Sequence, residues 1–250
     1  MRFFLIMLGL TILNIGVMSQ NSDISNKSDA ERIWELAIEA KGGRNRIEKV
    51  QNLLVLSSYG EKYGLVELFV LPNKWWRFSN QAEPFGKQVT MNNLEQDLYY
   101  ISNDSNPTTF IKTEMRGKET LLETQIYFLL ETKWIKPIPI NFTTEKVRGK
   151  LTDVVKTIIN DKPVNFFFDK ETHLVVKIAY LNDKGKPYSF VTFSDYVLVD
   201  GIQIPTKVGY ESNSKILINI KFNVDYDKTL FETPPTVAAG PDAWKPKIKF

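Results

Sequence analysis

Few residues in this chain are of the types that perform covalent chemistry. Its 250 residues include no cysteine and one histidine, His173. These counts exclude thiol nucleophiles and zinc sites built from several Cys or His ligands. No Gly-x-Ser-x-Gly elbow is present, and His173 adjoins a turn-like segment, Asp169–Thr172, where a solvated imidazole is ordinary. We therefore predict a protein that is not an enzyme; a glycosidase-like pair of distant carboxylates, which leaves no local signature, is the open alternative.

Sites for phosphate, metal and nucleic acid are also missing from the sequence pattern. Gly86-Lys87, Gly117-Lys118 and Gly149-Lys150 each lack the preceding glycine of a P-loop. Asp225 and Asp227 lack the rest of a calcium loop. The formal charge is +3, with no dense Lys/Arg run of the kind that binds nucleic acid. We predict no cofactor, no metal and no nucleic-acid partner.

Apolar side chains are the remaining candidates for function. The chain carries 16 Phe, 10 Tyr and 5 Trp. Trp76 and Phe78 share one face of a predicted strand, and Phe166 and Phe168 share one face of another. For any single aromatic residue, packing in the core of a sandwich is the simpler interpretation. Strands that are apolar on both faces nevertheless favour a sheet with a helix on one side and a lined pocket or a second sheet on the other.

The first residues have the layout of a signal peptide. Met1-Arg2 is positive, 3–17 is almost wholly apolar, and Ser19 supplies the small residue at a cleavage point. We predict a signal peptide over 1–19, a flexible leader over 20–27, and a periplasmic or secreted protein; an uncleaved membrane anchor is the alternative. Without cysteine there is no lipid-modified N-terminal cysteine and no disulfide, so an ordinary core must stabilise the fold.

Two helices are predicted. Ser28 to Glu31 reads as a capping box, and the helix that follows places Ala30, Ile33, Trp34, Ala37 and Ile38 on one face before Gly42-Gly43 ends it. A second helix covers 118–131 and is apolar almost all round in its C-terminal half. A short helical turn is expected at 44–50.

The rest of the chain reads as strands. We predict them at 53–59, 65–71, 74–79, 87–92, 98–102, 151–160, 164–168, 173–181, 188–195, 202–210 and 216–226. Segments 103–107 and 134–139 are interpreted as loops. From Ile216 to Val224 apolar and polar residues alternate, which predicts one buried face. Short connections favour antiparallel pairing in a single domain over 28–233, followed by an extended tail over 234–250.

Over roughly residues 30–232 the order of elements resembles the LolA-like superfamily of exported lipoprotein and lipid carriers. The segments that carry the resemblance are Leu68–Pro72 with Trp76-Arg77-Phe78, then Leu98–Tyr100, Phe168-Asp169, Leu174–Tyr180, Phe193–Tyr196, Val199–Gly201, Ile204-Pro205 and Leu230-Phe231.

The resemblance implies a mainly β fold with a few helices, in which a curved antiparallel sheet forms a half-open barrel and helices cover its mouth as a lid. Residues 30–41 and 118–131 would be the lid-type helices, and 126–130 would contact cargo. The concave face would shelter acyl chains. Its lining would include Phe69, Trp76, Phe78, Ile126, Phe128, Leu129, Phe166, Phe168, Val176, Ile178, Ile218 and Ile220.

Two departures from the family pattern shape the functional prediction. Leu71 stands where the dedicated lipoprotein carriers have the arginine that helps lock the lid, and Asn92-Asn93-Leu94 replaces an Asp-Gly turn. We therefore predict a monomeric carrier or sensor of lipid or lipoprotein acyl chains, with transient membrane contact, rather than a committed lipoprotein-transfer protein. The alternatives are an envelope module with a filled core that binds envelope proteins, and a hydrolase that uses unrecognised carboxylates.

Overall fold

The computed structural model describes residues 28–59, 63–71, 75–80, 88–93, 98–103, 106–111, 116–210 and 213–228. Its helices are α1 (Asp29–Lys41), α2 (Arg44–Ile47) and α3 (Arg116–Leu129). Its strands are β1 (Asn52–Tyr59), β2 (Tyr63–Val70), β3 (Trp75–Asn80), β4 (Gln88–Asn93), β5 (Leu98–Asn103), β6 (Asn106–Ile111), β7 (Ile138–Val147), β8 (Lys150–Ile159), β9 (Lys162–Asp169), β10 (Val175–Leu181), β11 (Pro187–Val199), β12 (Ile202–Tyr210) and β13 (Asn213–Phe222).

All of these strands join one antiparallel sheet. Its order is β6-β5-β4-β3-β2-β1-β13-β12-β11-β10-β9-β8-β7, so two meanders meet where β1 pairs with β13. Helix α1 contacts β7, β8 and β12 although four strands separate β7 from β12 in the sheet. The sheet must therefore curve around the helix. Within the described ranges β6 and β7 are unpaired edges, so the sheet stays open, and the predicted curved antiparallel fold with covering helices is confirmed.

The two edge strands are the elements that the sequence pattern missed. Both carry proline at their second residue, Pro107 in β6 and Pro139 in β7, and the loops predicted at 103–107 and 134–139 cover the first two residues of each strand. Proline has no N–H group to donate, so within a strand it is favoured where that position faces no hydrogen-bonded neighbour. An edge strand pairs on one side only, so proline is compatible with β6 and β7.

Helix α1 forms as its sequence predicts. The Ser28 Oγ accepts a hydrogen bond from the Glu31 N–H, and the Glu31 carboxylate accepts one from the Ser28 N–H at 2.7 Å. Its apolar face is buried: Ala30, Ile33, Trp34, Ala37 and Ile38 all belong to the main core. The capping box, the buried face and the stop at Gly42 are confirmed.

The end of α1 lies directly against the turn between β11 and β12. Gly42 has a φ of 131°, and a Cβ atom at this position would lie 2.2 Å from the carbonyl oxygen of Gly201. No larger residue fits without moving one backbone past the other. This contact fixes where the helix crosses the sheet.

We expect Gly42→Ala to lower the free energy of unfolding by about 2–4 kcal/mol, because it adds a steric clash to the cost of a positive φ. Gly149→Ala is the matched control: Gly149 has a φ of 83° but no atom within 4 Å of an added Cβ. The control should lose only about 1 kcal/mol. Chemical denaturation measures both, and equal losses would contradict the close-contact explanation.

Candidate functional site

Helix α3 and the concave face of the sheet together carry most of the predicted cavity residues. Eight of them belong to one buried cluster formed by the helices and the inner faces of the strands: Phe69, Ile126, Phe128, Leu129, Phe166, Phe168, Ile178 and Ile220. The structure therefore brings residues from α3, β2, β9, β10 and β13 together on one surface. Whether this surface holds a lipid stays a prediction.

Two predicted residues, Val176 and Ile218, lie outside this cluster because of irregular pairing. Val175 pairs with Phe168 and Lys177 with Phe167, so Val176 is an extra residue. It packs instead against the small cluster on the opposite face of the sheet. Along β13 the pairing skips Ile218 in the same way, and this side chain is 61% exposed. A bulge reverses which residues of a strand point inward, so the predicted alternation of 216–224 is wrong before residue 219.

The remaining two predicted residues lie in β3. The backbone pairs Trp76 with Phe69 and Phe78 with Glu67. The side chains of Trp76 and Phe78 lie outside the part of the chain that the structure describes.

A slot opens through the sheet between β12 and β13. The two strands pair only from Lys207↔Ile216 to Tyr210↔Asn213 and then diverge. The gap has a volume of about 130 Å³. Its lining consists of Val197, Val199, Ile204, Thr206, Leu217, Ile218, Asn219 and Ile220. Ile204 and Leu217 belong to the core, whereas Val197 is 44% exposed, so the slot connects the surface with the interior.

Helix α1 fills the interior mainly through Trp34. Its ring meets Phe166 edge-to-face with 5.0 Å between centroids, and Phe168 with 5.8 Å. Helix α3 contributes Tyr127, whose ring lies 5.3 Å from that of Phe193. In the described part of the chain the helices therefore occupy the space that an acyl chain would need.

A polar network ties the helices to one another. The Glu131 carboxylate, directly after α3, accepts hydrogen bonds from Trp34 Nε1 at 3.1 Å and from Arg44 Nε at 2.6 Å. Arg44 also pairs with Glu35 of α1 at 2.9 Å. Hydrogen bonds to Glu131 and Glu35 raise the pKa of Arg44 above its ordinary value. We call Trp34, Glu35, Arg44 and Glu131 the Glu131 network. The sequence pattern does not predict this network because its members are far apart in the chain. The one local indication is Glu131 itself, a carboxylate that follows the apolar C-terminal half of a helix.

A buried amine lies at the other end of α1. Lys41 is 2% exposed, and its Nζ lies 5.2 Å from the centroid of the Tyr196 ring. Burial lowers the pKa of Lys41 to about 7. The Tyr196 hydroxyl donates to the Val175 carbonyl at 2.6 Å, so it is committed to the backbone.

The described residues contain no group of three or more His, Cys, Asp or Glu that is arranged to hold a metal ion. His173 lies in the tight turn before β10, with a φ of 57° and its N–H bonded to the Asp169 carbonyl at 2.8 Å. In the same ranges, none of the helices has the length and apolar character of a membrane span.

We expect Glu131→Gln to lower the free energy of unfolding by about 1.5–3 kcal/mol, since it removes a charged acceptor from a buried hydrogen-bonded pair. Arg32→Gln is the control, because Arg32 and Asp29 form an ion pair that is more than half exposed. Its effect should stay within about 0.5 kcal/mol. A Glu131→Gln protein as stable as the control would show that the network does not hold the helices.

Lys41 should make stability depend on pH. Its pKa is about 7 in the folded protein against 10.5 in the unfolded chain, so the unfolded chain binds more protons between these values. Stability should therefore rise with pH across that window, by about 2–4 kcal/mol relative to Lys41→Met. Urea unfolding at several pH values measures this. Lys146 is exposed, so the plot of unfolding free energy against pH for Lys146→Met should run parallel to that of the wild type. If the plot for Lys41→Met also ran parallel, Lys41 would not be the source of the pH dependence.

The fold is similar to that of several proteins of known structure. No family model matches the sequence, and no curated protein matches it. Among solved structures, the chain is similar to a LolA superfamily protein from Nitrosomonas europaea, with 13% identity, a TM-score of 0.51, and coverage of 83% of this chain and 99% of that one. It is also similar to a DUF1329 family protein from Desulfovibrio piger, with 14% identity, a TM-score of 0.50, and coverage of 83% and 98%.

A putative outer membrane lipoprotein-sorting protein domain from Vibrio parahaemolyticus matches with 13% identity, a TM-score of 0.45, and coverage of 82% and 97%. At such identities the first two likenesses concern the fold alone. The chain has the LolA-like fold that its sequence resembles.

Proposed function

We propose that this protein is an exported, non-catalytic carrier or sensor that shelters acyl chains of lipids or lipoproteins inside its half-open barrel. The observation that carries the proposal is the slot between β12 and β13. Its lining is aliphatic apart from Thr206 and Asn219, and it leads from the surface to the core. An acyl chain gains about 0.8 kcal/mol for each methylene that leaves water, and an aliphatic slot supplies that environment.

The size of the slot sets how loading must proceed. A volume of about 130 Å³ lies below the roughly 300–1,000 Å³ of ordinary ligand sites. It is closer to an engineered cavity of about 150 Å³ that admits benzene. The slot therefore admits one segment of a chain. A complete acyl chain enters when α1 and α3 withdraw from the sheet, and the Glu131 network then re-forms after release.

The domain organisation follows the same proposal. Residues 1–19 act as the signal peptide, 20–27 as a leader, 28–233 as the binding domain and 234–250 as the tail. Export places the protein in the periplasm or outside the cell, where it meets lipid surfaces. Residues 1–27 and 229–250 lie outside the described ranges, so this organisation rests on the sequence pattern.

We expect Val197→Trp to weaken acyl-chain binding about tenfold or more, because the indole would fill the slot from its exposed end. Leu198→Trp is the matched control: Leu198 is 65% exposed and does not line the slot. Native mass spectrometry of gently purified protein, before and after incubation with fatty acid and phospholipid, detects the complexes. Titration of a fluorescent fatty acid measures affinity. If the wild-type protein neither carries nor takes up either lipid, the proposal is wrong.

One observation favours the alternative of an interaction module with a filled core. Edge strand β7 exposes Ile138, Ile140 and Phe142, and its outer backbone groups have no strand neighbour in the described sheet. Exposed edges accept an added strand from a partner. Under this alternative, Phe142→Lys would abolish capture of an envelope protein, and neither the wild type nor the variant would take up lipid. Lipid uptake by the wild type excludes the filled-core version.

A further inference from the structure

Three polar side chains are buried together on the inner surface of β2, β1 and β13. Ser57, Glu67 and Lys215 are 0%, 6% and 8% exposed. Glu67 pairs with Val55 of β1, and Lys215 pairs with Tyr59 of the same strand. Val55, Ser57 and Tyr59 alternate along β1, so all three polar residues belong to the face that carries the core residue Val55.

An ion pair links two of these residues across β1. The Lys215 Nζ contacts the Glu67 carboxylate, and the two side chains keep 10% and 8% of their exposure. In the register, Ser57 lies midway between the β1 partners of the two charged residues. The pair therefore passes over Ser57. The ion pair links β2 and β13 across β1, but it leaves the serine hydroxyl unexplained.

The Ser57 hydroxyl is the unexplained group. Its Oγ is fully buried and has no hydrogen-bond partner in the described part of the chain. Buried polar atoms are almost always hydrogen-bonded, because an unpaired one destabilises the folded protein. Lys215 has three N–H donors, and Glu67 is its one acceptor among the described residues. The Ser57 O–H and the Lys215 N–H groups can therefore donate hydrogen bonds to a ligand at one point of the otherwise apolar inner face of the sheet.

This polar point adjoins the slot. Leu217 pairs with Ser57 across the β1–β13 ladder, and Leu217 also lines the slot. Lys215 precedes Leu217 by two residues and shares its face. An elongated molecule in the slot would place its apolar part against Leu217 and Ile220 and one end beside Ser57 and Lys215.

The charges of Glu67 and Lys215 determine which chemical group of a ligand could bind beside Ser57. Lys215 and Glu67 together are neutral, so a ligand carboxylate would bring an uncompensated buried charge. A neutral carbonyl oxygen accepts hydrogen bonds from Ser57 and Lys215 without adding charge. We propose that Ser57, Glu67 and Lys215 form a subsite for the ester or amide carbonyl that joins an acyl chain to its head group. This inference rests on the proposed function, since it assigns the polar end of the same ligand.

Two ligands that differ only in the carbonyl test the subsite: a monoacylglycerol and the glycerol ether with an alkyl chain of the same length. Isothermal titration of the full mature chain should show tighter binding of the ester. Ser57→Ala should weaken ester binding about fivefold to tenfold, the effect of one lost hydrogen bond, and leave ether binding unchanged. Ser58→Ala, on the opposite face of β1, is the matched control and should bind both ligands as the wild type does.

A second variant separates recognition from folding. The double variant Glu67→Leu with Lys215→Met keeps the interior filled and neutral, and exchanges of this kind are compatible with a stable fold. It should bind the ether as the wild type does and show a smaller preference for the ester, because Ser57 remains as a donor while the Lys215 donor is removed. Equal binding of ester and ether by the wild type overturns the subsite and leaves the proposed function intact. Tighter binding of the free fatty acid overturns the choice of a neutral acceptor, and binding of none of the three ligands overturns both proposals.

Discussion

The concave face of the sheet must be covered, and Trp34 is the residue through which α1 covers it. The indole lies edge-on against Phe166 and Phe168 while its Nε1 donates to Glu131. One side chain therefore provides both a large apolar contact and a satisfied polar group inside the core. Because β7, β8 and β12 all contact α1, the sheet curves around this helix. Any function of the interior depends on whether this helix stays in place.

Polar groups inside such a core are stable only when each has a partner. Glu131 meets this requirement with Trp34 and Arg44, and the Tyr180 hydroxyl meets it with Tyr127 at 3.0 Å. Lys41 is accommodated differently. Its amine lies over the Tyr196 ring, and burial lowers its pKa, which favours the neutral amine. The Ser57 hydroxyl has no hydrogen-bond partner among the residues that the structure describes. The contrast among these groups makes Ser57 the strongest polar pointer to a ligand.

Irregular pairing creates the features that look most functional. The bulge at Ile218 lies beside the point where β12 and β13 separate, so the slot and the bulge occur together. A bulge bends its strand and increases the local twist, which helps two neighbours diverge. The bulge at Val176 similarly redirects β10, so that Val175 rather than Val176 faces the interior.

The sequence by itself determined the local structure. The capping box at Ser28, the amphipathic face around Trp34, the stop at Gly42 and the central strands all follow from short-range patterns, because caps and periodicities act within one or two turns or strands. Resemblance to a known family supplied the curved sheet, and the likeness to solved structures bears it out.

Tertiary structure decided the rest. Pro107 and Pro139 lie in β6 and β7, which are the edges of the described sheet, and no local pattern shows which strands are edges. The bulges at Val176 and Ile218 arise from pairing with other strands, and they reverse which residues face the core. Glu67, a single carboxylate in an apolar strand, was visible as an anomaly. Its partner Lys215 lies 148 residues away, and only the pairing of β2 and β13 with β1 brings the two charges together beside Ser57. Long-range pairing sets these positions because side chains distant in sequence interact only after the sheet has formed.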